Sequence, residues 1–111
     1  MKYLIFDTET TGLLPRNFDV NKSNTTNLPY IVQLSFIIYD NDLNKVLTTY
    51  DAIVKMTHGV SIPDESSKIH GITNGISLNK GVYIKDVLEI FKVAVENADY
   101  IVAHNFEFDI N

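Results

Sequence analysis

A mixed α/β fold, a sheet with helices packed against it, is predicted by three observations. The chain opens on a short apolar run that ends in acids, and two further β-branched and aromatic runs follow, separated by turn residues. Near the end, an amphipathic stretch of about four turns leads straight into another apolar segment. A helix feeding a strand implies a crossover onto the first strand's sheet, so parallel pairing is expected beside an antiparallel pair.

Lys2 to Phe6 reads as a buried strand whose C-terminal end delivers Asp7. From Leu14 to Pro29 the composition turns polar, with Asn17, Asn21, Asn24 and Asn27, and predicts a loop inserted between the first and second strands. Such length is uncommon in a compact domain unless it serves a function. Ile31 to Tyr39 is the second strand, Asn41, Asp42 and Asn44 supply turn chemistry, and Val46 to Met56 is the third, which makes an antiparallel hairpin. Period-two alternation puts Val46, Thr48, Tyr50, Ala52 and Val54 on one face, with Asp51 and Lys55 on the other. His58 to Lys80, rich in Gly, Ser and Asn, is expected to be loop with at most one helical turn near Asp64 to Ile69. Ile84, Val87, Leu88, Phe91, Ala94, Val95 and Ala98 recur on one helix face, and Asp86 and Glu89 lie where the macrodipole favours acids. Tyr100 to Ala103 is a short strand, and a further helix is expected to start near Asn105 as N-cap. Because the 111 residues stop as that helix begins, residues 1–111 read as the N-terminal portion of a single longer domain.

Composition narrows the function classes. No apolar run approaches the roughly 20 residues that span a bilayer, and Asp7 interrupts the opening run too early for a signal peptide, so an intracellular protein without membrane contact is expected. With no cysteine, any metal must sit on oxygen or imidazole. Nine basic against fourteen acidic residues, a net charge of -5, disfavour a broad phosphate-neutralising surface. A cleft that grips a few terminal nucleotides through bound cations needs no such surface.

Side chains two apart on an extended segment share a side, so Asp7 and Glu9 can aim two carboxylates at one point, a donor pair suited to Mg²⁺ or Mn²⁺. A solvated turn is the plain alternative. Thr8, Thr10, Thr11 and Gly12 add hydroxyls and a small backbone position of the kind a nucleotide's sugar or phosphate would approach, or simply form a turn. The second constellation, His104-Asn105-Phe106-Glu107-Phe108-Asp109, also follows a strand. If the two strands are parallel neighbours, Asp109 comes near Asp7 and Glu9 at the sheet edge where ligands of such folds bind.

Together these motifs resemble those of the DEDD superfamily of 3′-to-5′ exonucleases, the DnaQ-like family of polymerase proofreading nucleases. Phe6-Asp7-Thr8-Glu9-Thr10-Thr11-Gly12-Leu13 is similar to its first motif, His104-Asn105 with Phe108-Asp109 to its second, and Ile69-His70-Gly71-Ile72-Thr73 to a segment frequent in the proofreading branch. The resemblance implies a ribonuclease H-like mixed sheet with flanking helices. It further implies that Asp7, Glu9 and Asp109 are three of four acids that organise two divalent cations, which activate water and stabilise an in-line displacement at the terminal phosphodiester. By the same resemblance Thr8, Thr10 and Leu13 line the pocket for the 3′-terminal nucleotide of single-stranded DNA or RNA, Asn105 and Phe108 flank it, and His70 lies on the substrate side or packs. A DNA polymerase is the partner this branch implies. The third motif, with the fourth acid and a His or Tyr base, has no counterpart here, so the 111 residues alone are expected to be nearly inactive. His58 and Glu107 read as loop and surface residues, His104 as structural, the tyrosines as packing, and Gln33 as either a support for the site or a plain sheet position.

Two other readings compete. An exonuclease fold lacking the fourth acid can serve as a binding module, although retention of all three acids argues against a decayed site. Asp7, Glu9 and Thr11 also approach the D-x-D-x-T of haloacid dehalogenase-like phosphatases, in which Asp7 would be a nucleophile. That class has Asp at the second position and needs a later Lys and acidic pair that are not found.

Overall fold

The computed structural model describes residues 1–12, 30–56 and 59–103. Strand β1 (Lys2–Thr10) pairs antiparallel with β2 (Ile31–Asp40), which pairs antiparallel with β3 (Lys45–Lys55). Two short helices, α1 (Asp64–His70) and α2 (Asn74–Lys80), precede the two-residue strand β4 (Val82–Tyr83), helix α3 (Ile84–Glu96) and strand β5 (Tyr100–Ala103). The sheet order is β4-β3-β2-β1-β5, with β5 parallel to β1 and β4 parallel to β3. The expected mixed sheet with a crossover helix is therefore observed.

Strand alternation divides this sheet into two chemically distinct faces. One is apolar and meets α3. Leu4, Phe36 and Ile38 pack with Ala94, while Leu34, Ala52 and Val54 pack with Val87. Phe91 closes the seam edge-on, 5.2 Å from Phe6 and 6.0 Å from Phe36 between ring centroids. Each fully buried aliphatic here contributes about 1.5–3 kcal/mol relative to exposure. A third cluster, Val32 with Ile62 and Ile72, closes the sheet end toward α1 and α2.

Four expectations need correction. Val46 leaves the face that Thr48, Tyr50, Ala52 and Val54 share, because a register irregularity between Ile38 and Tyr39 leaves Leu47 without a partner. Leu88 is 46% exposed, off the buried stripe of α3. The stretch from His58 to Lys80 holds two helices, not one turn. Neither has an apolar face to announce it; they are set by their ends. Gly71 terminates α1 in the left-handed region at φ 77°, and the Thr73 hydroxyl caps α2 by accepting the Ile76 N–H at 3.2 Å. Gly81 completes the connection, since a Cβ there would lie 2.5 Å from the Lys55 backbone. Lastly, Tyr30, Tyr83 and Tyr100 are exposed, with Tyr100 stacked on Tyr3 at 5.2 Å; Tyr3, Tyr39 and Tyr50 are the half-buried ones.

Candidate active site at the end of β1

β1 runs three residues beyond the expected end at Asp7, so Thr8, Glu9 and Thr10 also belong to the strand itself. Direct pairing of Asp7 with Ser35 and of Glu9 with Gln33 puts both carboxylates on the sheet face opposite α3. A register irregularity between Glu9 and Thr10 follows at once, a device that re-aims side chains at strand ends. β5 pairs with β1 from Tyr3–Tyr100 to Phe6–Ala103, so the strand that leads into the second motif runs beside the first, its last residue Ala103 paired with the residue that precedes Asp7.

The apolar side chains Ile5 and Ile37 join Asp7, Ser35, Thr49 and Asp51 in an open cleft of about 390 Å³ on this face. Asp51 Oδ1 accepts two hydrogen bonds, from Ser35 Oγ and from Gln33 Nε2, both at 2.8 Å. The residues paired with the two site acids are thus anchored on a third acid one strand further out. Sequence reasoning singled out Gln33 but neither Ser35 nor Asp51, because alternation within one strand says nothing about which residues of neighbouring strands meet.

A second, smaller cleft of about 110 Å³ lies at the strand end, lined by Thr8, Glu9, Thr10, Gly12, Ser66, Ile69 and His70. Its frame is polar. The Thr11 N–H donates to the Tyr30 carbonyl at 2.9 Å, the Tyr30 N–H returns to Thr11 Oγ1 at 2.9 Å, and Ser66 Oγ donates to the Thr11 carbonyl at 2.6 Å. These bonds tie β1, the start of β2 and α1 together. The Ile72 N–H donates to His70 Nδ1 at 3.0 Å, which leaves Nε2 to carry the ring proton. That Nε2 is buried with no hydrogen-bond partner among the described residues.

The structure therefore brings Asp7 and Glu9 onto one face, and Thr8, Thr10 and His70 around an adjoining cleft. Leu13, the inserted segment, His58, and His104 through Asp109, with Asn105 and Phe108, lie outside the described residues. Among the described residues no three acids or histidines converge on a metal position. The donors that do converge are oxygens, a chemistry that fits Mg²⁺ or Mn²⁺ and excludes a thiolate metal.

An antiparallel three-stranded unit extended by a parallel strand across β1, with a crossover helix on one face and acids on the other, defines a ribonuclease H-like nuclease fold. Solved structures agree: exonuclease I from Methylocaldum szegediense superposes with a TM-score of 0.74 at 19% identity over 95% of this chain and 20% of that one. E. coli exonuclease I in complex with a dT13 oligonucleotide does so with a TM-score of 0.73, also at 19% identity, over 95% and 20%. At that identity the likeness bears on the fold. The family is fixed independently, because the exonuclease family RNase T matches residues 4–111; the chain belongs to that family, within the DEDD superfamily. It is 32% identical to the DNA polymerase III subunit epsilon of Buchnera aphidicola subsp. Acyrthosiphon pisum over 108 residues, 96% of this chain and 40% of the relative. A DNA polymerase III subunit epsilon-like protein of Rhodobacter capsulatus is likewise 32% identical, over 99% of this chain and 14% of its own length. The chain thus spans well under half of either relative. Membership decides against the phosphatase reading. No helix among the described residues is long and apolar enough to cross a membrane.

Proposed function

We propose that the protein is a 3′-to-5′ exonuclease that hydrolyses the terminal phosphodiester of single-stranded DNA or RNA with two divalent cations, and that Asp7 and Glu9 with Asp109 hold them. The observation that carries this reading is the pairing of Asp7 and Glu9 on one sheet face with β5 running parallel alongside, its Ala103 paired with Phe6. When bound, the cations supply an activated water and neutralise the charge that builds on the phosphate. The chain's own groups orient the substrate. Thr8 and Thr10 offer hydroxyls, and the unsatisfied Nε2–H of His70 offers a donor to the terminal nucleotide.

The 110 Å³ cleft is smaller than the roughly 300 Å³ of ordinary ligand sites, so Leu13, Asn105 and Phe108 complete the nucleotide pocket in this reading. The dT13 bound to the E. coli structural neighbour supports a single-stranded substrate, and the polymerase subunit named among the relatives supports a proofreading role beside a DNA polymerase inside the cell. The fourth acid and the base of the family's third motif have no counterpart in the 111 residues, so this stretch assayed alone is expected to be nearly inactive. The test is an oligonucleotide assay on the full gene product with Mg²⁺ or Mn²⁺. Stepwise shortening from the 3′ end that EDTA abolishes is expected; a product that releases no nucleotides with either metal overturns the reading.

A further inference from the structure

Asp51 lies outside the acids that the family motif specifies, yet it is the acceptor on which the open face of the sheet is organised. Across neighbouring strands spaced about 4.8 Å apart, the row Asp7, Ser35, Asp51 puts the two carboxylates about 10 Å from each other. Bonds to Mg²⁺ or Mn²⁺ are only about 2 Å long, so one cation cannot take both as ligands. Asp51 must act through what it touches, namely the Ser35 hydroxyl and the Gln33 amide, each bound to the same oxygen at 2.8 Å. Those two residues are the direct cross-strand partners of Asp7 and Glu9.

A serine hydroxyl has one proton to donate, and here Asp51 receives it. A carboxylate oxygen can only accept, so it is the amide nitrogen of Gln33, Nε2, that faces β3. Without an acceptor at position 51, the carboxylates directly across the strand from both donors, among the described residues, are those of Asp7 and Glu9, where the donors compete with a cation for oxygen lone pairs.

The geometry points to Asp51 as a positioning residue that draws the donors of Ser35 and Gln33 away from the Asp7–Glu9 pair and so keeps that pair receptive to divalent cations. The inference rests on the metal-dependent reading above. Acting at one remove from the ligands, it matters by about the tenfold typical of groups that orient metal-binding side chains.

The test is Mn²⁺ binding to the full gene product, followed by the electron paramagnetic resonance of free Mn²⁺. Asp51→Ala is expected to weaken binding about tenfold. Asp51→Asn, which keeps an acceptor oxygen and loses the charge, stays within about twofold, because positioning needs only the acceptor. Removing the donors as well, in Asp51→Ala with Ser35→Ala and Gln33→Met, restores the wild-type isotherm, a rescue that loss of a structural contact would not give. Unchanged binding in Asp51→Ala, equal loss in Asp51→Asn, or no rescue overturns the inference. A wild-type protein that binds no Mn²⁺ overturns the metal-dependent reading itself and this inference with it. The Gln33 side-chain amide resonances, recorded without metal, separate the two failures: they shift in Asp51→Ala and hold in Asp51→Asn if Asp51 positions that amide.

Discussion

The two faces of the same three strands do different work. On the α3 side Leu4, Phe36 and Val87 are sealed from water and hold the layers together; on the other side Asp7, Ser35 and Asp51 line an open cleft, with Glu9 and Gln33 paired on the same face. Adjacent residues on one strand serve opposite ends, as Phe6 packs on Phe91 while its neighbour Asp7 faces the cleft. A period of two lets stability and chemistry be written into one segment with little interference. Core packing tolerates volume-conserving change, whereas the open face depends on the identity of each oxygen and donor.

That separation can be broken deliberately by crossing two substitutions. Asp7→Asn removes a proposed cation ligand and is expected to cost about 10³-fold in nuclease activity, equivalent to about 4 kcal/mol of transition-state stabilisation, while thermal melting moves by no more than a few degrees. Leu4→Ala, at a fully buried position, is expected to cost about 3 kcal/mol of stability and to leave activity per folded molecule intact. Melting curves and initial rates on both variants check this; comparable losses of activity in the two would show that the faces are coupled.

A smaller effect sharpens the comparison at the strand end, where the faces meet α1. Ser66 is buried and its hydroxyl donates to the Thr11 carbonyl at 2.6 Å. Ser66→Ala leaves that carbonyl short of a partner and is expected to cost about 1 kcal/mol. Because Ser66 lines the same cleft as Thr8 and His70, the expected kinetic signature is a raised KM at nearly constant kcat, read from steady-state rates on a labelled oligonucleotide.

How much of this was legible in the sequence depended on whether the signal was periodic. β1, β2, α3 and β5 announce themselves by alternation or by a three-and-four repeat, and the antiparallel hairpin and the crossover follow from their order. α1 and α2 carry no repeat; they are fixed by Gly71 and the Thr73 cap, which read equally well as loop chemistry. In β3 the face of Val46 was misread because one unpaired residue, Leu47, interrupts an alternation that holds from Thr48 to Val54. In the site, the shared face of Asp7 and Glu9 is a property of one strand and could be read. The link from Asp51 through Ser35 and Gln33 is a property of three strands in register, and register is set by packing that no single segment encodes.

The mildest expected effect lies next to Asp51, on the covered face. Tyr50 stacks on Phe36 with ring centroids 5.1 Å apart, and burial, with a smaller contribution from the negative charge of Asp86, raises its pKa above the ordinary 10.0. Both causes disfavour the phenolate, so the folded state holds the Tyr50 proton more tightly than the unfolded chain does. The stability this confers is complete below about pH 10, the unfolded value, and is lost as pH rises through the raised folded value. Tyr50→Phe removes the titrating group and keeps the ring. Chemical denaturation across the alkaline range is therefore expected to show a steeper fall for the wild type than for Tyr50→Phe, with the two curves running parallel below pH 9. Parallel curves throughout would mean that α3, with Asp86 in its first turn, does not press on Tyr50 closely enough to separate the covered face from solvent.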